Sequence, residues 1–276
     1  MSRHSSSRLR ETMSNLAPTK RDVPVNSLPS RTGLAAWFRP YVSSTVGTKM
    51  LVAVTGLMLT GFVLAHMIGN LKIFAGRDAI NSYAVFLKSL GPLLWVARIG
   101  LLGVFLLHII LALKLKKRSV DARPIGYAYQ NTMQASLPSR TMVWTGLAIL
   151  AFTLFHLAHY TFGVVGTVQV NGKSVGYLEL HDAMPDGTVR HDVYAMVTHG
   201  FRQPVVAILY IVAQLLLLMH LGHGIPSTFQ TLGINTPRTQ RMIRAAGWLI
   251  AFLVVAGNIG IVVGVWTGFV PAGAAV

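Results

Sequence analysis

The segment from Gly47 to Ile73 reads GTKMLVAVTGLMLTGFVLAHMIGNLKI and decides the fold class of this chain. It contains no Asp or Glu, and its two lysines, Lys49 and Lys72, lie near its ends. A helix rising ~1.5 Å per residue needs about 20 predominantly apolar residues to cross a hydrocarbon layer of ~30 Å. The segment is therefore long and apolar enough for one membrane crossing.

Four more segments of this kind follow along the chain. Apolar residues make up 53% of the sequence and charged residues only 12%, which is typical of a polytopic membrane protein. We predict an all-α membrane protein whose five transmembrane helices lie in one domain over residues 46–276. The predicted spans, numbered 1 to 5, are 47–73, 93–115, 142–165, 204–224 and 246–270.

The N-terminal region, residues 1–45, has a different composition. It is rich in Ser, Arg, Pro and Thr and has no apolar run, so it lacks the hydrophobic region of a secretory signal peptide. We expect a cytoplasmic tail that is disordered or bound to a partner.

The basic residues predict the orientation, because cytoplasmic loops retain Lys and Arg during insertion. Most of them lie before span 1, between spans 2 and 3, and before span 5. The opposite loops hold Asp78, Glu179, Asp182, Asp186 and Asp192. We expect a multi-pass protein of the inner (cytoplasmic) membrane with its N-terminus cytoplasmic and its C-terminus outside. Since the basic residues flank apolar segments, we expect lipid rather than nucleic acid around this chain.

The outer connection from Gly166 to Gly200 is long enough for a hairpin or an interfacial helix. Within it, Asn171-Gly172 stands between β-type residues in Val168–Tyr177. Asn-Gly favours the tight turn of a two-residue hairpin, so we predict a small hairpin here.

Histidines inside the spans are the strongest indication of function, because ionisable residues are costly in a bilayer. Spans 1 and 3 run outward and reach a histidine late, whereas spans 2 and 4 run inward and do the same. This predicts an outer pair, His66 with His156, and an inner pair, His108 with His220. Span 5 has no histidine.

Two histidines from facing helices at matched depth are the arrangement needed to bind haem iron between two imidazoles. We therefore expect two stacked haem groups inside a four-helix bundle of spans 1–4, with span 5 peripheral. His159 and His223 lie three residues after His156 and His220 and are the alternates. The competing interpretation of any single membrane histidine is a hydrogen bond to a neighbouring carbonyl. The other histidines, which are expected to be solvated, are His4, His181, His191 and His199.

Three stretches resemble the single-chain cytochrome b anchor subunit of bacterial succinate dehydrogenase and fumarate reductase (respiratory complex II). The resemblance covers about Gly47 to Arg244, and motif order, helix count and histidine placement agree. The stretches are residues 55–115, TGLMLTGFVLAHMIGNLKIFAGRDAINSYAVFLKSLGPLLWVARIGLLGVFLLHIILALKL, residues 139–157, SRTMVWTGLAILAFTLFHL, and residues 219–241, MHLGHGIPSTFQTLGINTPRTQR.

The resemblance implies a five-helix subunit that anchors a flavoprotein and an iron–sulfur protein on the cytoplasmic face and binds two haem b groups. His66 and His156 resemble the outer ligands, and His108 and His220 the inner ones. Gly224 and the later Leu-Gly favour His220 over His223. The implied reaction is electron transfer from the partner's succinate site through iron–sulfur clusters to menaquinone or ubiquinone. The chain is then an enzyme only as a subunit, with no catalytic residue for the dicarboxylate.

Several alternatives stay open. Two of the four histidines together with cysteines of a partner would hold a Rieske-like 2Fe–2S cluster with no haem. Two other classes of protein also stay open. One is a b-type anchor of a hydrogenase or formate dehydrogenase, and the other is a histidine-containing transporter without a redox centre. Diheme relatives that couple proton movement have a carboxylate where this chain has Leu218, and the spans contain no Asp or Glu. That absence argues against a buried-carboxylate proton route and against an ion-coupled transporter.

A quinone needs an apolar slot and hydrogen-bond donors for its carbonyl oxygens. The candidate donors form an inner set and an outer set, and the competing interpretation of several of them is interfacial anchoring. The inner set is Ser43, Ser44, Lys49 and Arg140, and the outer set is Asn70, Tyr83, Trp95 and Arg98.

Overall fold

The computed structural model describes residues 33–123, 125, 136–184, 186–234 and 236–273. The chain divides into two compact units, Met1–Pro40 and Tyr41–Val276. The first unit is described only at residues 33–40, where helix α1 begins. Residues 1–32 of the predicted N-terminal tail lie outside the described residues.

Helices dominate the second unit. Five of them are long and apolar enough to cross a membrane, so the prediction of an all-α polytopic membrane protein is confirmed. The spanning helices α4 and α7 run further than the predicted spans, whereas α2, α5 and α8 both begin and end earlier. In chain order the helices are α1 (Leu34–Ser43), α2 (Thr45–Asn70), α3 (Arg77–Ser89), α4 (Pro92–Asp121), α5 (Leu137–His156), α6 (Val193–Arg202), α7 (Pro204–Thr231) and α8 (Gln240–Trp266).

Local sequence explains where the spanning helices begin. Pro92 and Pro204 occupy the first positions of α4 and α7, where a missing N–H costs nothing. The Ser44 hydroxyl caps α2 by accepting a hydrogen bond from the N–H of Gly47 at 2.9 Å. Ser136 plays the same part for α5, accepting from the N–H of Ser139 at 3.4 Å.

Helices α2, α4, α5 and α7 form the predicted four-helix bundle. Helix α2 packs against α4 and α7, and α5 packs against α7. Contact between α4 and α5 is sparse, so the bundle is loosest on that side. Helix α8 lies outside, packed mainly against α7 and also against α2.

Small residues bring α7 and α8 together. Gly222 of α7 lies under the ring of Trp248, and Gly247 of α8 lies against the ring of Pro226. The Asn258 side chain adds a hydrogen bond by donating to Gln214 Oε1 at 3.0 Å. Apolar side chains gain little by leaving lipid for a neighbouring helix, so close approach and polar contacts carry this interface.

Two short β-hairpins follow α5. Strands β1 (Thr167–Val170) and β2 (Lys173–Gly176) pair antiparallel, as do β3 (His181–Ala183) and β4 (Val189–His191). Asn171 and Gly172, between β1 and β2, both have positive φ, 50° and 77°. A two-residue turn of this geometry matches the twist of the strands. The predicted hairpin is confirmed, and the second one was not predicted.

The two ends of the bundle differ in what they carry. The hairpin side is the end where α2 stops and where the hairpins, α3 and α6 lie. The basic side is the opposite end, where α2 begins and α4 stops with Lys114, Lys116, Lys117 and Arg118. Arg118 joins α4 to the end of α1 and to α2, because its guanidinium donates to the carbonyl oxygen of Ser43 at 2.8 Å and to the hydroxyl of Thr48 at 3.4 Å.

A substitution at Gly247 tests the α7–α8 contact. A Cβ at this position would lie 2.7 Å from ring carbons of Pro226, so Gly247→Ala should lower the free energy of unfolding by ~1–3 kcal/mol through overpacking. Thermal unfolding in detergent measures the effect. Gly260→Ala in the same helix is the matched control, because no atom lies within 4 Å of its added Cβ. Equal melting temperatures for the two variants would contradict the described packing.

Candidate functional site

The first histidine pair joins α2 and α5. The ring centroids of His66 and His156 are 5.8 Å apart, and the ring planes are nearly perpendicular at 89°. Two imidazoles bound to one metal ion from opposite sides have centroids about 6 Å apart, because each metal–nitrogen bond is ~2.1 Å long. The spacing of this pair therefore suits binding of one metal ion between the two rings.

The second pair joins α4 and α7. His108 and His220 are close enough for their imidazoles to interact electrostatically. His108 contacts α2 at Thr55, eleven residues before His66 in the same helix, which corresponds to about 16 Å along the axis. The structure therefore brings together the same two pairs, at two depths, that the sequence predicts.

Each histidine of the second pair contacts a threonine hydroxyl of a neighbouring helix. Nδ1 of His108 lies 3.0 Å from the hydroxyl of Thr55, and Nδ1 of His220 lies 3.2 Å from the hydroxyl of Thr145. A glycine beside each threonine, Gly56 or Gly146, leaves room for the imidazole. These contacts were not predicted from the sequence.

A tyrosine contacts one member of the first pair, His156, and the alternate His159. The Tyr210 hydroxyl lies 3.1 Å from Nδ1 of His156 and 3.0 Å from Nδ1 of His159. His159 is only 1% exposed, and its ring centroid is 4.0 Å from that of Tyr160. It lies in the wide π-helical turn Leu157–Thr161 that ends the span. The alternate His159 is thus enclosed by aromatic rings, where it supports Tyr210.

The remaining histidines have ordinary surroundings. His223 is half-buried one turn beyond His220. Among the histidines that were expected to be solvated, His181 is exposed, but His191 and His199 are half-buried. Nδ1 of His191 bonds the carbonyl of Leu180, and Nε2 of His199 bonds the carbonyl of Gly273, at 3.1 and 3.0 Å.

A cavity of about 150 Å³ adjoins His66 on the hairpin side. Asn70 and Tyr83 of the outer quinone set line it, and apolar residues complete its wall. The Tyr83 ring is seated against α2 at Gly69, where an added Cβ would lie 2.7 Å from the ring. The cavity-lining residues are His66, Asn70, Ile80, Tyr83, Ala84, Leu87 and Val193.

The other candidates of the outer set lie elsewhere. Trp95 is 60% exposed, and the Arg98 guanidinium lies over its ring, 5.2 Å from the centroid. Neither residue lines the cavity. This exposed pair matches the competing interpretation, an interfacial anchor.

The inner set is not gathered into one pocket within the described parts of the chain. The Ser44 hydroxyl is committed to the backbone, since it also donates to the carbonyl of Tyr41 at 2.7 Å. The carbonyl of Ser43 accepts from Arg118. Lys49 and Arg140 are exposed.

No family model matches this chain, and no curated protein and no solved structure is significantly similar to it. The functional assignment depends on the residues of the site.

An ion-pair network closes the hairpin side above the cavity. Arg77 contacts Asp192, and Arg190 contacts Asp182 at 2.8 Å. The Asn81 amide donates to both carboxylates, at 3.0 Å each. The network ties α3 to the second hairpin and to the start of α6. Residues of α3 and Val193 of α6 line the cavity, so the network holds the cavity walls in place.

The network makes the hairpin side sensitive to acid. Burial alone would raise the pKa of Asp182, but hydrogen bonds from Asn81 and Arg190 and the charge of Arg77 hold it below its ordinary value. A carboxyl group whose pKa is lower in the folded state contributes stability above its ordinary pKa of ~3.9. That contribution is lost as the pH falls through the lower, folded-state pKa.

Asp182→Asn should loosen this cap. We expect a loss of ~1–3 kcal/mol of local stability, because the substitution removes the charge that faces Arg77 and Arg190 and replaces one acceptor oxygen by an NH2 donor. The dependence of stability on acid should be weaker than in the unsubstituted protein. Hydrogen exchange of α3 and α6 amides between neutral and acidic pH measures both effects. Asp121→Asn is the control, because its pair with Lys117 is exposed at 59% and 77% and contributes less than about 1 kcal/mol. Unchanged protection in Asp182→Asn would contradict the role of the network.

Proposed function

We propose that this chain is the cytochrome b membrane-anchor subunit of a succinate:quinone oxidoreductase, which passes electrons from a partner's iron–sulfur subunit to quinone. The observation that supports it best is the presence of two histidine pairs, one above the other, inside a single four-helix bundle. Each pair takes one imidazole from each of two helices, as bis-imidazole haem ligation requires.

The surroundings of the pairs fit two haem b groups better than a 2Fe–2S centre. Each pair already takes both imidazoles from this chain, whereas a mixed-ligand cluster also needs two thiolates, and this chain has no cysteine. The sparse contact between α4 and α5 leaves room for a planar group on that side of the bundle.

The chain's residues would bind and orient the haem, which supplies one-electron transfer across the membrane when bound. His66 with His156, and His108 with His220, are the residues that would hold the two haem irons. The cavity beside His66 offers an apolar wall of Ile80, Ala84 and Leu87 for a quinone ring. The Asn70 amide and the Tyr83 hydroxyl are its candidate donors to a quinone carbonyl oxygen.

The charge distribution supports the proposed partners. The basic side carries the cluster Lys114 to Arg118 at the end of α4, and basic loops stay cytoplasmic. We place the basic side and the N-terminus in the cytoplasm, facing the flavoprotein and iron–sulfur subunits, and the C-terminus outside the cytoplasmic membrane. The succinate site then belongs to a partner chain.

A dithionite-reduced minus oxidised spectrum with a pyridine haemochrome assay tests the proposal. The purified complex should contain about two haem b per copy of this chain. His66→Ala and His108→Ala should each remove one of the two, because each deletes one axial ligand. His181→Ala, on an exposed strand, is the control and should retain both. A wild-type complex without haem would overturn the proposed function, and a 2Fe–2S signal shared with a partner would then support the cluster alternative.

Quinone kinetics test the cavity. Tyr83→Phe should raise the KM for quinone about 5- to 10-fold, because loss of one hydrogen bond costs ~1 kcal/mol or slightly more. Haem content should stay unchanged. Trp95→Phe is the control, since Trp95 does not line the cavity. If Trp95→Phe raised the KM and Tyr83→Phe did not, the quinone site would lie on the outer face of α4 instead.

A further inference from the structure

We propose that Thr55 and Thr145 are positioning residues that hold the imidazoles of His108 and His220 in one tautomer, with Nδ1 protonated and Nε2 left to bind metal. This inference rests on the proposed function and deepens it. We call the two positions, Thr55-Gly56 on α2 and Thr145-Gly146 on α5, the Thr-Gly seats.

The two seats belong to a repeated pattern in the sequence. Of the three Thr-Gly-Leu tripeptides in the sequence, the two that begin at Thr55 and Thr145 are each followed by a histidine eleven residues after the threonine, at His66 and His156. The two helices whose histidines contact the seats, α4 and α7, show a repeated spacing as well. His108 follows Pro92 by sixteen residues, and His220 follows Pro204 by the same number.

The structure brings the repeats into equivalent contacts. Thr55 of α2 receives His108 of α4, and Thr145 of α5 receives His220 of α7. In both seats the glycine faces Cε1 of the imidazole, and a built Cβ would lie 3.1 Å from it at Gly56 and 3.4 Å at Gly146. Glycine therefore lets the ring lie close to the helix backbone, and threonine supplies the polar contact.

The direction of the hydrogen bond follows from what each hydroxyl does with its own proton. The Thr55 hydroxyl donates to the carbonyl of Leu51 at 2.7 Å, and the Thr145 hydroxyl donates to carbonyls one turn earlier in α5, Thr141 and Met142. A hydroxyl has one proton. With that proton donated to a carbonyl of its own helix, each threonine oxygen accepts from Nδ1–H of the imidazole, which is the tautomer that we propose.

Nδ1 is the ring nitrogen that each threonine hydroxyl contacts, in His108 and in His220 alike. A neutral imidazole fixed at Nδ1–H presents its lone pair at Nε2, which is the atom needed for metal binding.

The other histidine pair lacks such seats. His156 shares the single hydroxyl of Tyr210 with His159, and that hydroxyl donates to only one Nδ1. The two threonines therefore act only on the proposed metal site nearer the basic side, and the site of His66 and His156 does not depend on them.

Thr55→Val and Thr145→Val test the seats, because valine keeps the shape of threonine and removes the acceptor. A hydrogen bond from Nδ1–H makes the ligand more basic and stabilises oxidised iron. Each variant should therefore shift the midpoint potential of one haem upward and leave the other unchanged in an optical redox titration of the purified complex. Affinity for that haem should fall by about 10- to 100-fold. Thr55→Ser and Thr145→Ser keep the hydroxyl, so these variants should retain the wild-type midpoint potential and haem affinity.

Two comparisons keep the test independent of folding. Thr153→Val in α5 is the matched control, because the Thr153 hydroxyl bonds only the carbonyl of Ile149. Gly56→Ala should perturb the same haem more than Gly146→Ala, since its added Cβ lies closer to the imidazole. If the wild-type complex contains two haems and both valine variants leave their midpoint potentials unchanged, the proposed role of the Thr-Gly seats is wrong. Wild-type complex without haem would overturn the proposed function instead.

Discussion

A polar side chain inside a membrane has no water to bond, so a hydrogen bond to a neighbouring helix stabilises its position, and three of the four paired imidazoles have one. His108 obtains it from Thr55, His220 from Thr145 and His156 from Tyr210. These bonds determine which helices are neighbours. They join α2 to α4 and α5 to α7 by contacts that apolar packing in lipid would not specify.

Much of the fold was predictable from the sequence. The length and apolarity of the segments predict five spans. Alternation of direction predicts the two histidine pairs, because a histidine late in an outward helix and one late in an inward helix lie at different depths, whereas helices that run in the same direction place them at the same depth. Asn171-Gly172 marked the first hairpin for a local reason, the positive φ of its turn. These features depend on a single helix or turn, and that is where sequence patterns are most informative.

What could not be predicted depends on pairing between distant residues. The network of Arg77, Asn81 and Asp192 joins polar residues that lie far apart in the chain and look like ordinary loop residues. Tyr83 and Trp95 were equal candidates for a quinone site, because both are aromatic residues near a helix end. Only the structure separates them, since α3 folds Tyr83 back onto Gly69 while Trp95 faces outward. The repeated Thr-Gly-Leu pattern was the one signal in the sequence that could have led to Thr55 and Thr145.

The repeat gives the bundle an approximate two-fold axis along the membrane normal, because the pairs α2–α4 and α5–α7 run through the membrane in the same order and direction. Each histidine pair then takes one member from each half of the repeat, His66 with His156 and His108 with His220. Either half alone carries one histidine at each depth and would complete no bis-imidazole site. The proposed metal sites would form only where the halves meet, so association of the halves and formation of both sites would be one event.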